Sequence, residues 1–469
     1  FGSPKKSFLK AVKQWIPYLI FFVGFTVYRI LFRNTYAYQI GILDQLRLSP
    51  LLTIKEFVFK AANSIIDAFV ISWWNALKLV ALTFKQSRSF ELILLIIAGF
   101  GWVLLSLYPR KQSEKYGLNL NGGWKLMLIG LYLGLVALIP FYAGGFDVRV
   151  EFPWNRFLLA LTPAVAIFSA GFLDYISKKN TIKVIILALI CSIAVASQFI
   201  TSSEFVNYWE RQKEFFWQLS WRVPQLKAGT TLITVDLPFV KYYSGTSLIG
   251  PLNIIYFPED HSTNIYAIVR IMDSPESAYI PEFTLNKPIV YNLRGLQFEG
   301  STNQLLLFSM PEEGCLRIFA PYDFPDQLTF SNDPYFWTSA LPLSNLGTII
   351  TNPSQSKYPP EKYFGTENTN HWCYYFEKAD LARQNQDWEE VIYLYESAQD
   401  QGLSPYKITE FEPLVEAYIR TSDVEAASQL VDYLHVIYPN SNEYFCNFFL
   451  RLQKLANLKT EEQLTLNKF

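Results

Sequence analysis

Five charge-poor apolar runs fill much of the first 200 residues and constrain the fold more than any other feature. They cover residues 15–32, 92–108, 126–146, 157–173 and 184–200. Each has roughly the 17 to 25 residues that an α-helix needs to cross the hydrocarbon core of a bilayer. A soluble protein would not concentrate five such runs in one half of its chain. Residues 1–200 are therefore predicted to form a polytopic α-helical membrane domain of about five transmembrane helices.

Basic residues between the runs predict an orientation. Lysine and arginine are concentrated in residues 5–13, 110–125 and 178–183, which precede or separate the runs. Positively charged loops usually stay in the cytoplasm, so these three segments are predicted to be cytoplasmic. Alternation then places the short segment 147–156 and everything after residue 201 outside.

A further apolar stretch lies in the first outside segment. Between residues 56 and 78 the polar side chains recur at helical spacing and fall on one face, opposite a face of Phe, Ile, Val and Trp. The pattern favours an amphipathic helix in the outer interface, or a re-entrant element. The alternative is a sixth crossing whose polar stripe faces other helices.

The composition of the 469-residue chain excludes several other classes. It is 51% hydrophobic and only 17% charged, with a net charge of −1 and four cysteines. A disordered chain, a disulfide-dense secreted module and a basic nucleic-acid binder are thereby excluded. The lipid bilayer is the partner that the sequence predicts, and no nucleic acid is expected.

Residues 201–366 carry a mixed pattern. An amphipathic helix is predicted near residues 204–226, its aromatic side chains lying against lipid headgroups or against the next domain. The β-rich runs that follow include TLITVDLP, KPIVYNLRGLQFEG, NQLLLFSM and CLRIFA. They predict a small extracytoplasmic α/β domain that ends in an antiparallel meander. Residues 321–362, rich in Pro, Asn, Ser and Asp, are predicted to be a loop.

Residues 367–456 are predicted to be helical, with 457–469 as a tail. Two stretches align at an offset of 36 residues, so that Asp387 matches Asp423 and Val391 matches Ala427. This spacing resembles the tetratricopeptide pattern of paired antiparallel helices, which usually presents a binding surface to a protein partner. An ordinary helical cap on the α/β domain is the alternative.

Residues that carry chemistry are sparse. The three histidines lie far apart and none has a second ligand at metal spacing, so no metal and no cofactor are evident. Three of the four cysteines fall in the outside part, which allows at most one disulfide there. Cys373 with Cys446 is one possible pair, although nothing in the spacing requires it. The pattern identifies no catalytic residue.

The short outside turn between the third and fourth runs is the strongest candidate site. Arg149 and Arg156 lie there beside Asp147 and Glu151, at the outer membrane boundary. Arginine is suited to clamp a lipid phosphate with paired donors. Equally, the four charges could simply pair with one another in an ordinary interfacial loop.

The helix that follows this turn carries a resemblance. Arg156, Phe157, Leu158, Leu159 and Pro163 resemble a motif in the later membrane region of the GT-C superfamily of polytopic glycosyltransferases. The resemblance implies sugar transfer from a polyprenyl-phosphate carrier at the outer face of a membrane, with an acid as the catalytic base. The layout is also similar to a group of bacterial membrane proteins without an assigned activity, which implies a multi-pass protein of the bacterial inner membrane. The candidate acids are Asp147, Glu151, Asp44 and Asp67.

Two functional hypotheses follow. GT-C enzymes place the catalytic acid in the first outside loop of a larger bundle, so the resemblance covers the C-terminal half of such an enzyme, and the base is expected to lie before Phe1 if it is not among these acids. The first hypothesis is a glycosyltransferase-like protein, incomplete or inactive as this chain stands or active through one of the four acids. The second is a non-catalytic membrane-anchored scaffold or accessory subunit whose outside domains bind a protein.

Overall fold

The computed structural model describes most of the chain. The described residues are 4–31, 46–84, 99, 101–102, 106, 122–152, 154–176, 179–235, 237–239, 245–259, 264–272, 283–293, 295–323, 334–352, 354, 356–439 and 441–455. The described part of the chain is mostly helical, with small sheets. It divides into two compact units, one of residues 1–75 and 109–186 and the other of residues 76–108 and 187–469. The predicted span 92–108 lies almost wholly outside the described residues.

Within the described ranges, four helical segments are long and apolar enough to cross a membrane. They are Pro50–Thr83, Gly123–Ala143, Trp154–Ile176 and Ile182–Arg222. The first predicted span falls in helix α1 (Pro4–Leu31), whose described apolar stretch Trp15–Phe25 is shorter than the other four. Large apolar side chains such as Phe21 and Tyr132 are exposed on these helices, as expected for surfaces that face lipid.

The stretch 56–78 belongs to a longer helix than the sequence pattern predicted. Helix α2 (Pro50–Ile66) continues through a π-helical turn (Asp67–Ile71) into helix α3 (Ser72–Phe84). Residues 50–83 form a run of 34 residues, which by length and composition qualifies as a membrane span. A sixth crossing, the alternative that the sequence left open, is therefore compatible with this helix.

Small residues let two helices of the first unit approach closely. Helix α4 (Gly123–Ala143) packs antiparallel against helix α5 (Thr162–Ile176), which follows the 3₁₀ turn Trp154–Leu161. A Cβ atom added to Gly123 would lie 2.3 Å from the carbonyl oxygen of Gly171, and one added to Gly130 would lie 2.8 Å from that of Ala164. Packing of this kind is how helices associate where no hydrophobic effect separates protein from lipid.

A single helix replaces two predicted elements. The predicted span 184–200 and the amphipathic helix 204–226 form one continuous helix α6 (Asn180–Arg222) of 43 residues, about 65 Å long. The aromatic side chains near its end are buried in the protein core. Phe215 contacts Phe239 and Phe308, and the indole of Trp217 donates to the carbonyl of Phe364. Of the two environments predicted for these aromatic side chains, the structure places them against the following domain.

The sheets of the second unit are mixed. Strands β1 (Gln225–Leu226) and β9 (Ile349–Ile350) form a short antiparallel pair. In the four-stranded sheet, β2 (Thr230–Thr234) pairs in parallel with β4 (Ala267–Ile271) and with β7 (Leu305–Ser309), and β8 (Arg317–Ile318) completes the order β4-β2-β7-β8. The helix α7 (Gly245–Tyr256) connects β2 to β4. The third sheet has the order β3-β6-β5, with β3 (Asn264–Ile265), β5 (Pro288–Leu293) and β6 (Leu296–Ser301).

The prediction of one continuous antiparallel meander is therefore wrong. The hairpin of β5 and β6 and the antiparallel pair of β7 and β8 both exist, but β6 and β7 lie in different sheets. The β2 and β7 strands pair in parallel across more than 70 residues of sequence, which a local pattern does not reveal. The predicted loop 321–362 also contains short helices, among them α8 (Pro334–Ala340) and α9 (Glu361–Phe364).

The C-terminal region consists of helices. They are α10 (Trp372–Gln384), α11 (Trp388–Asp400), α12 (Glu412–Arg420), α13 (Val424–Ile437) and α14 (Asn442–Leu455). The turns before α11 and α13 have the same geometry at an offset of 36. Asp387 and Asp423 each cap the next helix by accepting from a backbone amide, and the residues before them, Gln386 and Ser422, both have φ near +60°. The pairs α10–α11 and α12–α13 therefore have the same turn between their two helices.

The sheet region and the helical region share covalent and polar contacts. Cys315, next to β8, forms a disulfide with Cys373 in α10. The backbone amide of Cys315 donates to the carboxylate of Glu410, and Arg317 pairs with Glu412 at 3.0 Å. The pair considered from the sequence, Cys373 with Cys446, is wrong, and the Cys446 thiol is free and exposed.

Candidate functional site around Asp67 and Arg149

Hydrogen bonds fix the turn after α4 against α2. The Ser64 hydroxyl donates to the carbonyl of Val148 at 2.5 Å and lies 2.6 Å from the Tyr142 hydroxyl. Tyr142 in turn donates to the carbonyl of Lys60 at 2.9 Å. Ser64 and Tyr142 are both buried, so these bonds satisfy groups that would otherwise lie unpaired in an apolar environment. The turn is held where its charged side chains meet the polar face of α2.

Asp147 is the acid at the centre of this turn. Its carboxylate pairs with Arg149 at 2.9 Å and with Lys60 at 3.2 Å. About half of the Arg149 and Lys60 side chains is exposed. Exposed pairs of this kind contribute little to stability, so both cations remain available to a second anion.

Asp67 approaches the turn from the π-helical segment. Its carboxylate accepts a hydrogen bond from the backbone amide of Val150 and interacts electrostatically with Arg149 and Glu151. It is the first residue of the π-helical turn, a rare local geometry that is frequent at functional sites. A carboxylate oriented by a backbone amide beside an arginine can accept a proton from a hydroxyl while the arginine binds an anion.

The four acids and two arginines predicted from the sequence do not all meet. Asp67, Asp147, Arg149 and Glu151 lie together, whereas Asp44 lies outside the described residues. The Arg156 side chain is exposed, and its guanidinium lies 5.0 Å from the ring centre of its neighbour Phe157. Among the described residues, Arg156 makes no contact with Asp67 or Asp147, so the two arginines do not form one clamp.

The sequence pattern missed the role of Lys60 and Ser64. Both belong to the polar stripe of residues 56–78, and together with Asp67 they follow the spacing i, i+4, i+7 of one helix face. This face contacts the turn after α4 and the buried hydroxyl of Tyr142. The stripe was visible in the sequence, but which element it would contact was not.

No group of three or more metal-ligating side chains occurs among the described residues. The chain matches no protein-family model, no curated protein and no solved structure. The functional assignment therefore depends on the geometry of this site and on the chemistry of its residues.

Proposed function

We propose that this integral membrane protein binds a polyprenyl-phosphate-linked sugar at the turn after α4 and acts as a GT-C-like glycosyltransferase. One observation carries the proposal: the half-exposed cations Arg149 and Lys60 meet at Asp147, in the turn that follows a membrane-length helix. The amphipathic phosphate ester of such a carrier would lie at this boundary. We further propose that the protein lies in the bacterial inner membrane with residues 201–469 outside.

In this mechanism, Arg149 binds the phosphate of the lipid carrier. A guanidinium offers two parallel donors to phosphate oxygens, which compensates for weakening its exposed pair with Asp147. Lys60 then retains Asp147 and prevents its carboxylate from repelling the phosphate. As the bond between the sugar and the phosphate breaks, Arg149 stabilises the charge that grows on the leaving phosphate.

Asp67 is the proposed base. The acceptor hydroxyl loses its proton to the Asp67 carboxylate while its oxygen forms the new bond to the anomeric carbon. The amide of Val150 holds this carboxylate in place. Glu151, exposed and close by, is a second acid at the same turn.

Binding of the carrier can be tested apart from the reaction. The full chain is titrated with polyprenyl phosphate in detergent micelles, as wild type, as Arg149→Gln and as Lys55→Gln. Lys55 is an exposed cation of α2 that lies outside the cluster, so it is the matched control. The proposal predicts at least tenfold weaker binding for Arg149→Gln only. Equal affinity in all three proteins would reject it.

A second function is favoured by a different observation. Helix α13 exposes Tyr433, Val436 and Ile437, with 79% of Val436 accessible, and α11 exposes Tyr393. Apolar side chains grouped on a surface are typical of protein interaction sites. On this view the repeated helix pairs are tetratricopeptide-like, and the chain is a membrane-anchored scaffold. On a blue native gel, the complex extracted from membranes should then have a lower apparent mass for Val436→Glu than for wild type. The control variant Glu396→Gln, which changes an exposed side chain, should keep the wild-type mass.

A further inference from the structure

A buried arginine without an anionic partner lies in the four-stranded sheet of the second unit. Arg270, in β4, is only 1% exposed. Within the part of the chain that the structure describes, none of its three guanidinium nitrogens donates a hydrogen bond, and it forms no ion pair. The guanidinium carbon lies 3.9 Å from the ring centre of Tyr291. An aromatic ring attracts a cation but does not replace the hydrogen bonds that a guanidinium makes in water.

The burial of this charge is costly unless an anion compensates for it. A charged group taken out of water destabilises the fold unless an opposite charge or hydrogen-bond acceptors surround it. Arginine stays charged in proteins, so it cannot lose its charge on burial as a lysine can. An anion bound at Arg270 would supply both the opposite charge and the acceptors.

The apolar layer around Arg270 holds a second donor without an acceptor. Side chains alternate across a strand, so Arg270 lies on the same face of the sheet as Ile268. The layer on this face includes Ile233, which is next to Arg270 in register, and Trp337. The indole nitrogen of Trp337 is buried and, among the described residues, also has no acceptor. Arginine and tryptophan side chains can only donate, so acceptors are what this layer lacks.

The position of Arg270 in the sheet is one where ligands bind. After β2 the chain enters α7, whose Leu248 and Leu252 pack on the opposite face of the sheet. After β4 it continues to β5 and β6, whose Tyr291 and Phe298 pack on the face that carries Arg270. Open sheets of parallel strands bind ligands outside the carboxyl ends of the strands, where the connections diverge in this way. Arg270 is the last residue but one of β4 and therefore lies at this end.

We propose that Arg270 binds an organic carboxylate that has an apolar body. One unpaired guanidinium matches one negative charge, and it can bind both oxygens of a carboxylate through paired hydrogen bonds. The aliphatic and aromatic side chains of the surrounding layer would contact the apolar body, which inorganic phosphate does not have. This site does not include Asp67 or Arg149 and does not depend on the proposed function.

Thermal unfolding of the dialysed full chain in detergent micelles, at constant ionic strength, tests this proposal. The probes are benzoate, butyrate, inorganic phosphate and the neutral analogue benzyl alcohol, each at about 10 mM. Benzoate or butyrate is expected to raise the midpoint of unfolding by about 2 °C or more, because a ligand that binds only the folded state stabilises it. Phosphate and benzyl alcohol are expected to produce no such rise.

Variants of Arg270 assign the effect to this site. Arg270→Met removes the charge and keeps an unbranched apolar side chain, so the carboxylates should no longer raise its midpoint. Arg270→Lys keeps the charge but loses the paired donors, and it should respond less than wild type. Arg211→Gln changes a surface arginine of α6 that pairs with Glu214, so this control should respond as wild type does.

The wild-type measurements decide the question even if Arg270→Met does not fold. In that case calorimetric titration of the wild type with benzoate should give one site per chain, and benzyl alcohol should give none. No rise in the midpoint with either carboxylate would overturn the proposal. So would an equal rise with phosphate or benzyl alcohol, or equal rises in folded Arg270→Met and wild type.

Discussion

Arg222 donates a hydrogen bond of 2.6 Å to Asp380, although 158 residues separate them in the chain. Both side chains are almost completely buried, and Arg383 pairs with the other oxygen of the same carboxylate. A buried ion pair contributes little relative to an apolar pair, but removal of one partner leaves an uncompensated charge in the interior. The junction between the end of α6 and the helical region therefore depends on Asp380.

Asp380→Asn should destabilise the second unit by about 3 to 5 kcal/mol, because two arginines lose their anionic partner. Thermal and denaturant unfolding of the full chain in detergent micelles measures this. Asp432→Asn, an exposed acid on α13, is the matched control and should change the free energy of unfolding by less than about 0.5 kcal/mol. A loss below about 1 kcal/mol for Asp380→Asn would contradict the structural role of this carboxylate.

The same network predicts acid sensitivity. Burial alone would raise the pKa of Asp380, but attraction to Arg383 and Arg222 lowers it to about 2. Burial would also raise the pKa of Glu412, but attraction to Arg451 and Arg317 outweighs burial and lowers this pKa to about 2. In the unfolded chain these groups titrate near pH 4. Because the folded pKa values are depressed, their stabilisation is present above about pH 4 and is lost as the pH falls toward 2.

Unfolding followed by circular dichroism between pH 6 and pH 2 measures this loss of stability. The free energy of unfolding should fall by on the order of 2 kcal/mol for each carboxylate. In Asp380→Asn the free energy of unfolding should depend less steeply on pH across this window. An identical pH dependence in wild type and variant would show that Asp380 does not titrate as its ion pairs require.

Glu377 should behave in the opposite way. It is fully buried, its two carboxylate oxygens have no hydrogen-bond partner, and burial raises its pKa well above the usual value, followed by repulsion from Asp380. A raised folded pKa gives stabilisation below the unfolded pKa of about 4.3, which is lost as the pH rises. Glu377→Gln should therefore stabilise the protein at pH 8 by about 1 kcal/mol or more and have little effect at pH 4. The free energy of unfolding, measured at both pH values, tests this prediction, and Glu396→Gln, which changes an exposed acid, is the control. Destabilisation by Glu377→Gln at pH 8 would contradict the prediction.

Packing of α4 against α5 predicts a sharp effect of added volume. A Cβ atom on Gly171 would lie 2.6 Å from the carbonyl oxygen of Gly123, so the two backbones must separate. Gly171→Ala should lower the midpoint of thermal unfolding in detergent, with a loss of about 1 to 3 kcal/mol. Gly24→Ala in α1 meets open space and should cause no loss. Equal midpoints for the two variants would mean that this close helix contact does not form.

The free thiol of Cys446 allows the proposed orientation to be tested. It is exposed, whereas Cys315 and Cys373 are joined in a disulfide, as is typical of an oxidising compartment outside the cytoplasm. The other free thiol, Cys191, lies in the membrane-length helix Ile182–Arg222, out of reach of a reagent that does not enter the membrane. A membrane-impermeant maleimide added to intact cells should therefore label the wild-type protein and fail to label Cys446→Ser. Labelling only after the cells are permeabilised would place residues 201–469 inside and reject the proposed topology.

Local signals in the sequence predicted the helices better than the contacts between elements. The apolar run 126–146 corresponds to the helix Gly123–Ala143, because a long hydrophobic stretch specifies a helix without reference to its neighbours. The parallel pairing of Thr230–Thr234 with Leu305–Ser309 depends on long-range packing. The disulfide between Cys315 and Cys373 spans 58 residues and was likewise not evident from spacing.

The candidate site shows the same difference between local signals, which were visible in the sequence, and long-range contacts, which were not. Arg149, Asp147 and Glu151 were recognisable as charged residues beside apolar runs, and Asp67 as part of a polar stripe. Their proximity depends on two hydrogen bonds, from the Ser64 hydroxyl to the carbonyl of Val148 and from the Tyr142 hydroxyl to the carbonyl of Lys60, which join residues more than 80 positions apart. Arg149 or Arg156 was expected to hold the lipid phosphate; Arg156, the first residue of the motif that resembles GT-C enzymes, lies with its guanidinium 5.0 Å from the ring centre of Phe157, and its role stays a prediction.

The measurement that tests the central proposal most directly is sugar transfer by the full chain in liposomes that contain polyprenyl-phosphate-linked radiolabelled sugar. Wild type, Asp67→Asn, Arg149→Gln and the exposed helix control Glu56→Gln are compared at equal protein content. We expect transfer by wild type and Glu56→Gln, and a loss of at least a hundredfold for Asp67→Asn and tenfold for Arg149→Gln. Undetectable transfer by the wild type, or undiminished transfer by Asp67→Asn, would contradict the proposal.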